Sequence, residues 1–400
     1  MTIGNWARAA LATAFALTGA SAVNAAGPVE HGNGNTFHQA VCARGIGQGE
    51  ARCFAEMRTD ARGNPFEGKA PTAGPNVTPS GLGPADLRSA YAVSGTGGSG
   101  RIIAIVDANG YPNAEADLAV YRAQYGLPPC TTANGCFIKL DQNGGTNYPR
   151  YNSGWAQEQA LDLDMASSMC QDCKIMLVQA SSASLANLGA AVNTAAARGA
   201  FVISNSYGGG ETGSATYESA YNHPGIAITV STGDSGYGAQ FPATSNHVIA
   251  VGGTNLKRAS NARGWDEVAW TSGGSGCSSV YSKPAYQSDP LCTNRMEADI
   301  SAVADPATGV AVYGPTGKGS QSGWLVFGGT SASAPIIGGM YGVTGKVASA
   351  ASTIYADAAT GFNDITSGSN GSCGGTYFCT TAVGYDGPTG RGTPKGAAGL

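Results

Sequence analysis

Ser331 lies in a setting that suits a nucleophile. The string GGTSASAP at residues 328–335 precedes the apolar segment IIGGMYGVTGKVA, for which we predict a buried helix. Its glycines allow a tight turn and a close approach to a substrate, and a helix N-terminus offers free N–H groups where an oxyanion would develop. The alternative interpretation is a serine or threonine N-cap on a buried helix.

Two carboxyl groups, those of Glu158 and Asp162, are candidates for proton transfer. Their spacing in the predicted helix WAQEQALDLDMASSM puts both on one face, close enough to share a hydrogen bond. Such a pair is ordinarily part of a solvated helix face. Here the neighbouring residues are apolar, and the sequence has no lysine or arginine between Arg150 and Lys174 to pair with them. We therefore interpret the pair as functional.

A third carboxyl group, that of Asp234, follows a predicted strand in the segment GIAITVSTGDSG. Alone, GDSG is typical of a turn with an Asx-type hydrogen bond. Together with the other two motifs it indicates an oxyanion site, because a carboxylic acid that stays protonated can donate a hydrogen bond.

The string GTSASAP resembles the nucleophile motif of the subtilisin-like clan. An ordinary subtilase also needs a histidine in an HGTH-like helix, and none of the four histidines, at positions 31, 38, 223 and 247, has that context. Glu158 and Asp162 stand where that helix is expected. With GDSG and the strand ISNSYGG, these motifs make residues from about 84 to 400 resemble the sedolisin family, the serine-carboxyl peptidases.

The resemblance implies a role for each matched residue. Ser331 is the expected nucleophile, Glu158 the general base and then acid, Asp162 the group that orients Glu158, and Asp234 the oxyanion donor. Three residues of the strand ISNSYGG are expected to pair with the substrate backbone as an added strand: Ser206, Tyr207 and Gly208.

These roles predict a pH range. Glu158 must be ionised to accept the proton of Ser331, and Asp234 must be neutral to donate, so we expect activity at acid pH that falls as Asp234 deprotonates. The carboxyls should titrate as a coupled set. Asp107, at the end of the first predicted strand, could support Asp162, contact substrate or cap a turn, and we favour the turn cap.

A calcium site is implied by the same resemblance. The segments FNDITSG and AVGYDGP near the C-terminus offer carboxylates amid glycine-rich backbone, which suits Ca²⁺ because this cation accepts carboxylate and carbonyl oxygens flexibly. Taken alone, two aspartates in loops are usually turn residues. The implied ligands of one structural Ca²⁺ are the side chains of Asp364 and Asp386 and the carbonyls of Ile365, Ala382 and Gly384.

Strand and helix patterns alternate from Leu82 onward and end with the predicted helix after Ser331. The alternation predicts an α/β fold with a mostly parallel central sheet flanked by helices, and the resemblance makes it the three-layer subtilisin-like fold. Sites in such sheets form beyond the carboxyl ends of the strands. Asp107, Ser206 and Asp234 all follow strand patterns.

Composition limits the classes of partner. An apolar share of 42%, 61 glycines and 12% charged residues indicate a compact, loop-rich chain. A formal charge of −4 without basic clusters argues against nucleic acid and anionic membrane surfaces. We expect protein or peptide substrates, a monomer, and no membrane association after the signal peptide is removed.

The N-terminus predicts export. Residues 1–25 combine an early arginine, an apolar stretch and small residues before Ala26, as in a signal peptide, although a membrane anchor is the alternative. Export would end in the periplasm or the medium. We interpret residues 26–83 as a short propeptide or N-terminal extension and residues 84–400 as the peptidase domain with its calcium loops.

The ten cysteines fall into neighbouring pairs, at 42/53, 130/136, 170/173, 277/292 and 373/379. Local disulfides fit an oxidising compartment. The pair Cys170 and Cys173 could instead be a redox or zinc motif.

Three rival interpretations stay open. One is a catalytically inactive relative that binds peptides or surfaces, and the second is an exported, disulfide-braced α/β binding domain. The third lies within enzymes: a tripeptidyl-peptidase-type exopeptidase in place of the endopeptidase that we favour.

Overall fold

The computed structural model describes Met1 and residues 26–66, 79–98, 100–317, 321–347 and 350–400. The predicted signal peptide, except for Met1, lies outside these ranges and stays a prediction. Among the described residues, no helix is long and apolar enough to cross a bilayer.

The strands and helices of the described residues are numbered in chain order. The strands are β1 (Val29–His31), β2 (Phe37–Ala40), β3 (Arg52–Cys53), β4 (Glu56–Thr59), β5 (Ile102–Ala108), β6 (Phe137–Asp141), β7 (Lys174–Ala180), β8 (Val202–Asn205), β9 (Tyr207–Gly208), β10 (Ala227–Ser231), β11 (Ile249–Arg258), β12 (Trp265–Ala269), β13 (Gly276–Ser282), β14 (Asn294–Glu297), β15 (Ile300–Val303), β16 (Val310–Pro315), β17 (Ser322–Gly328), β18 (Phe362–Asn363) and β19 (Thr393–Pro394). The helices are α1 (Pro84–Ala90), α2 (Ala114–Gln124), α3 (Ser153–Met169), α4 (Leu185–Ala197), α5 (Thr330–Thr344) and α6 (Ser352–Ala356).

The central sheet has the strand order β12-β11-β10-β8-β5-β7-β6, with β15 beside β11. Its pairings are parallel except for that between β11 and β12. Strands such as β5 and β10 read as nearly continuous apolar runs and are buried along their length, as expected when a parallel sheet is covered on both faces. The predicted α/β fold with a mostly parallel sheet is therefore confirmed.

Two buried helices support the site. Helix α3 begins where the Asn152 side chain accepts a hydrogen bond from the N–H of Trp155 at 3.1 Å, which caps the helix. From Trp155 to Met169 every residue of α3 is buried. Helix α3 packs against α5, and α5 in turn contacts β8 and β10 of the sheet. This packing brings the N-terminus of α5 close to the middle of α3.

The N-terminal strands join the rest of the protein. Strands β1, β2 and β4 extend a second sheet, whose order is β1-β2-β4-β17-β16, and β3 pairs with β9 in antiparallel orientation. The propeptide or extension that we predict at residues 26–83 stays a prediction. Its described strands contact β17 and β9, the two strands that border Ser331 and Ser206.

Five disulfides join the neighbouring cysteines, Cys42–Cys53, Cys130–Cys136, Cys170–Cys173, Cys277–Cys292 and Cys373–Cys379. Local disulfide pairing is thus as predicted. The zinc alternative for Cys170 and Cys173 receives no support, since both sulfurs are engaged in one disulfide.

Candidate active site

Ser331 is the second residue of α5, directly after a turn at Gly329. Gly329 has φ +91°, and a β-carbon there would lie 1.8 Å from the carbonyl oxygen of Phe54, so only glycine fits. Ser331 is fully buried, and its hydroxyl donates to the carbonyl of Ser206 at 3.3 Å. The residue that caps α5 is Gly329. The N-cap interpretation of Ser331 is therefore wrong.

Glu158 and Asp162 lie one turn apart on α3, as their spacing predicts, and both are fully buried. The Glu158 carboxyl lies close enough to Asp162 to raise its pKa. The Ser331 hydroxyl is within hydrogen-bonding range of Glu158 and lowers its pKa. The Ser206 hydroxyl donates a hydrogen bond to Oδ1 of Asp162 at 2.9 Å. Ser331, Glu158 and Asp162 thus form one proton-transfer chain.

Little positive charge surrounds Ser331, Glu158 and Asp162. Among the described residues, no salt bridge reaches Glu158 or Asp162. Burial raises the pKa of Glu158 to about 8, and the hydrogen bond from Ser331 offsets only part of that rise. Burial also raises the pKa of Asp162 well above its ordinary value, and the charges of Asp107 and Glu158 add to the rise. The buried pair therefore holds protons tightly.

Asp107 ends β5 and belongs to the same cluster. It is fully buried, and neither of its carboxyl oxygens has a hydrogen-bond partner among the described residues. The turn cap that we favour from sequence is wrong, because a cap accepts backbone N–H groups. Burial and then the charge of Glu158 raise the pKa of Asp107 well above its usual range. The charge of Asp107 discourages ionisation of Asp162.

Asp234 follows β10 and faces the start of α5. Its Oδ1 accepts hydrogen bonds from the N–H of Thr330 at 2.9 Å and from the Thr330 hydroxyl at 2.8 Å. Its Oδ2 has no partner among the described residues. Burial, followed by the charge of Glu56, raises the pKa of Asp234 to about 7. At acid pH this carboxyl is neutral and has a free oxygen from which to donate.

The edge formed by Ser206, Tyr207 and Gly208 is occupied by the chain's own strand β3. Arg52 lies opposite Gly208 in the antiparallel register, and the N–H of Phe54 donates to the carbonyl of Ser206 at 3.3 Å. This edge therefore pairs with an extended segment of the protein itself. We predict the same kind of pairing with a substrate.

The segment that continues from β3 into β4 crosses the catalytic groups. The N–H of Ala55 donates to Oε2 of Glu158 at 2.7 Å. The Phe54 carbonyl oxygen and Oδ2 of Asp234 face the same small space, 1.8 and 2.7 Å from the point where a β-carbon of Gly329 would lie. The sequence analysis did not predict that this segment crosses the site. Its local signal is the short run CFAEM, which begins with Cys53.

The C-terminal loops bring the predicted calcium ligands together in part. Oδ2 of Asp364 accepts the N–H of Gly384 at 2.9 Å, and Oδ2 of Asp386 accepts the N–H of Ala382 at 3.0 Å. Burial raises the pKa of Asp386 to about 7. A cation would relieve the cost of ionising this carboxyl, so the donor set fits Ca²⁺ chemically. Among the described residues, no cluster of three or more acidic, histidine or cysteine side chains could hold a metal.

Comparison with known proteins decides the family. The model of the subtilase family matches residues 149–353, half of the chain. The chain belongs to the subtilase family. Kumamolisin of Bacillus sp. (strain MN-32) is 29% identical over 390 residues, which cover 86% of this chain and 67% of that protein. Sedolisin of Pseudomonas sp. (strain 101) is 32% identical over 206 residues, which cover 42% of this chain and 33% of that protein.

Further similarity extends to peptidases of fungi and to solved structures. Tripeptidyl-peptidase sed1 of Aspergillus fumigatus is 30% identical over 266 residues, 48% of this chain and 39% of that protein. A solved structure of Pseudomonas sedolisin, a serine-carboxyl proteinase complexed with pseudo-iodotyrostatin, superposes with a TM-score of 0.65 at 25% identity, over 80% of this chain and 97% of that one. Within the subtilases, the chain is thus a serine-type peptidase of the sedolisin kind, as its motifs predict.

Proposed function

We propose that this sedolisin-type subtilase is a serine-carboxyl endopeptidase that hydrolyses peptide bonds through an acyl-enzyme on Ser331. Glu158 would take the proton of Ser331 as it attacks and then deliver it to the leaving amine. Asp162 would hold Glu158 in position, and neutral Asp234 would donate to the oxyanion. Ser206, Tyr207 and Gly208 would bind the substrate backbone as an added strand.

The observation that carries this proposal is the convergence of these four groups. Ser331 lies close enough to Glu158, and Glu158 to Asp162, to shift the pKa of the neighbouring carboxyl, while Oδ2 of Asp234 faces the turn before Ser331. With all four chemical groups present and in contact, the inactive relative and the binding domain lose their main support.

Acid activity requires a particular order of pKa values. Glu158 must lose its proton at lower pH than Asp234, yet in this structure their pKa values are about 8 and about 7. The main cause is the burial of Glu158, to which residues 51–57 contribute by covering it. Without these residues water would reach Glu158 and lower its pKa, whereas Asp234 would lose both the Glu56 charge that raises its pKa and the Arg52 charge that lowers it. Acid activity therefore depends on how far hydration of Glu158 in an open cleft lowers its pKa.

The extent of the cleft supports an endopeptidase over a tripeptidyl exopeptidase. Upstream of Phe54 the occupying chain continues past three residues: the N–H of Ala51 donates to the carbonyl of Ala183 at 2.8 Å, and Glu50 forms a bridge with Ser184. An enzyme that removes tripeptides needs a closed end at that distance. Here the cleft has room for a longer chain.

One structural Ca²⁺ would tie the C-terminal loops together. Asp364 and Asp386 would provide carboxylates, and Ile365, Ala382 and Gly384 would provide carbonyls. The ion would stabilise the folded state because it binds that state selectively.

We further propose that the enzyme is exported by its signal peptide to the periplasm or the medium. It would act as a monomer on protein or peptide substrates. Five disulfides among the described residues support an oxidising destination.

Hydrolysis of a denatured protein from acid to alkaline pH tests the proposal, with Ser331→Ala as the control. We expect peak activity at acid pH that the substitution abolishes, and mass spectrometry of the products should show internal cleavage. Peak activity at neutral or alkaline pH would contradict the roles of Glu158 and Asp234. Release of tripeptides alone would establish the exopeptidase.

A further inference from the structure

Asp234 lies in a loop, residues 232–238, that we call the oxyanion loop. A second loop, residues 270–276, runs beside it, and the N–H of Gly274 donates to the Gly233 carbonyl at 2.7 Å. An oxyanion donor must lie within about 2.7–3.1 Å of the developing charge. Because a displacement of about 1 Å in an active site can lower a rate about 10²-fold, the position of the oxyanion loop matters for the reaction.

Asn370 joins these two loops and is 2% exposed. Its carbonyl accepts a hydrogen bond from the N–H of Tyr237 in the oxyanion loop at 2.8 Å. In the second loop, Nδ2 of its side chain donates to the Gly273 carbonyl at 2.6 Å and to the Ser275 hydroxyl at 2.9 Å. The oxyanion loop approaches closely, since a β-carbon at Gly236 would lie 2.6 Å from the Asn370 carbonyl oxygen. Asn370 therefore fixes the spacing between the two loops.

Asn370 is itself held by the C-terminal loop that contains the Cys373–Cys379 disulfide. Its N–H donates to the Cys379 carbonyl at 3.0 Å. The Ser275 hydroxyl, which accepts from Nδ2 of Asn370, donates in turn to the Phe378 carbonyl at 2.8 Å. These bonds connect the oxyanion loop to a segment that a disulfide closes.

We propose that Asn370 is a positioning residue for the oxyanion donor and sets the position of Asp234 relative to Ser331. The inference rests on the proposed function, because it needs Asp234 in that role. Thr330 holds one oxygen of the Asp234 carboxyl at the start of α5. Asn370 holds the main chain of the same loop at Tyr237. Together the two contacts keep the free Oδ2 of Asp234 beside the turn that precedes Ser331.

Asn370 acts without touching the substrate. Its side chain is buried, and its amide nitrogen already has two partners in the second loop. Among the described residues, none of its hydrogen bonds reaches residues 206–208, which are expected to bind the substrate backbone. Loss of Asn370 should therefore affect the chemical step more than substrate binding.

Steady-state kinetics of Asn370→Ala on one peptide at acid pH test the inference. Loss of Nδ2 lets the oxyanion loop shift, so kcat should fall by about tenfold to 10²-fold. KM should stay within about twofold, as expected when an interaction of the transition state is lost. Asn370→Asp introduces a carboxyl that, when protonated, can donate one of the two hydrogen bonds. It should retain more of kcat than Asn370→Ala.

A double-mutant cycle separates positioning from general destabilisation. If Asn370 acts through Asp234, adding Asn370→Ala to Asp234→Ala should lower kcat by less than about twofold further. The two losses would multiply if Asn370 affected the enzyme by another route. The cycle therefore identifies the group through which Asn370 acts.

Two further variants complete the test. Asn363→Ala is the matched control, because Nδ2 of Asn363 donates to Thr393 Oγ1 at 3.3 Å and joins two other C-terminal segments. It should lower Tm and leave kcat within about twofold. Ser275→Ala removes one partner of Asn370 but keeps the asparagine, and it should lower kcat by about threefold or more. Ser275→Ala decides the question if Asn370→Ala does not fold.

Three results would overturn the inference while leaving the proposed function intact. These are an unchanged kcat in Asn370→Ala and Ser275→Ala, a rise in KM alone, and losses that multiply in the double-mutant cycle. An unchanged kcat in Asp234→Ala would instead reject the role of Asp234. Absence of peptide hydrolysis by the wild type would reject the proposed function.

Discussion

Two pairs of carboxyl groups in this protein are held in opposite ways. Glu158 and Asp162 lie on a buried helix, and Glu158 Oε1 and Asp162 Oδ2 have no hydrogen-bond partner among the described residues. Asp364 and Asp386 lie in C-terminal loops, where backbone N–H groups of Gly384, Ala382 and Thr389 donate to them. The first pair keeps carboxyl oxygens free to exchange protons, whereas both carboxyl oxygens of Asp386 already accept hydrogen bonds. The second pair is held in fixed positions by these hydrogen bonds. The predictions below test this difference between the two pairs.

Replacement of the general base should give the largest effect. Glu158→Gln keeps the shape of the side chain but cannot accept the proton of Ser331, so we expect kcat to fall by about 10²- to 10⁴-fold. Asp364→Asn in the C-terminal loops is the matched control and should leave kcat within about twofold at ambient temperature. Steady-state kinetics on one peptide measure kcat of both variants. Equal losses of kcat would show that the two pairs of carboxyls do not differ in function.

Replacement of the oxyanion donor should come next. Asp234→Ala should lower kcat by about 10²- to 10³-fold, as expected for loss of one donor. Asp234→Asn should retain much of the activity, because an amide can still accept from Thr330 and donate into the oxyanion space. Since an amide does not titrate there, the fall in kcat toward neutral pH should vanish in Asp234→Asn. An unchanged pH profile would remove Asp234 from this role.

Removal of calcium should affect the loops alone. In Ser331→Ala, which cannot digest itself, EDTA should lower Tm by about 3 °C if free Ca²⁺ is otherwise present at roughly 100 Kd, which contributes about 2.7 kcal/mol. Differential scanning calorimetry measures the change, and Asp386→Asn should remove the sensitivity to EDTA. Unchanged Tm and unchanged activity would dismiss the calcium site.

Stability should fall as pH rises. The folded state raises the pKa of several carboxyls outside the proposed calcium site above their ordinary values of 3.8–4.5: Asp107, Asp117, Glu158, Asp162, Asp164, Asp234 and Glu297. The folded state therefore binds more protons than the unfolded state, and stability is lost from about pH 4 up through the folded pKa values near 7 and 8. We expect the Tm of Ser331→Ala to be about 5 °C or more higher at pH 5 than at pH 8. A Tm that rises over this interval would show that these carboxyls are not desolvated in solution.

The smallest effect should come from Asp107→Asn. Burial and the charge of Glu158 keep Asp107 neutral at acid pH, so the substitution removes no charge there. The acid limb of the pH profile of kcat should therefore stay in place, without a large change in its maximum. A limb that moves to lower pH would show that Asp107 is ionised beside Glu158.

Sequence alone predicted the features that depend on local spacing. The helix that carries Glu158 and Asp162 follows from its apolar surroundings and a spacing of four residues, and the turn before Ser331 follows from its glycines. The parallel sheet follows from alternating apolar strands and helices. Each of these signals lies within about 20 residues of chain.

Features that depend on distant partners were missed. Strand β3 has only two residues, and its pairing with β9 joins positions more than 150 residues apart, so no local pattern reveals it. The environment of Asp107 depends on α3, which lies beyond another helix and strand. The pKa order of Glu158 and Asp234 was also out of reach, because it depends on burial by the chain's own segment.

The most direct test of the account is the identity of the nucleophile. A peptide ester mixed with the enzyme at acid pH and quenched within the first turnovers should leave an acyl group that mass spectrometry locates on Ser331. Ser331→Ala should carry none. An acyl group on any other residue, or substrate turnover that persists in Ser331→Ala, would contradict the account.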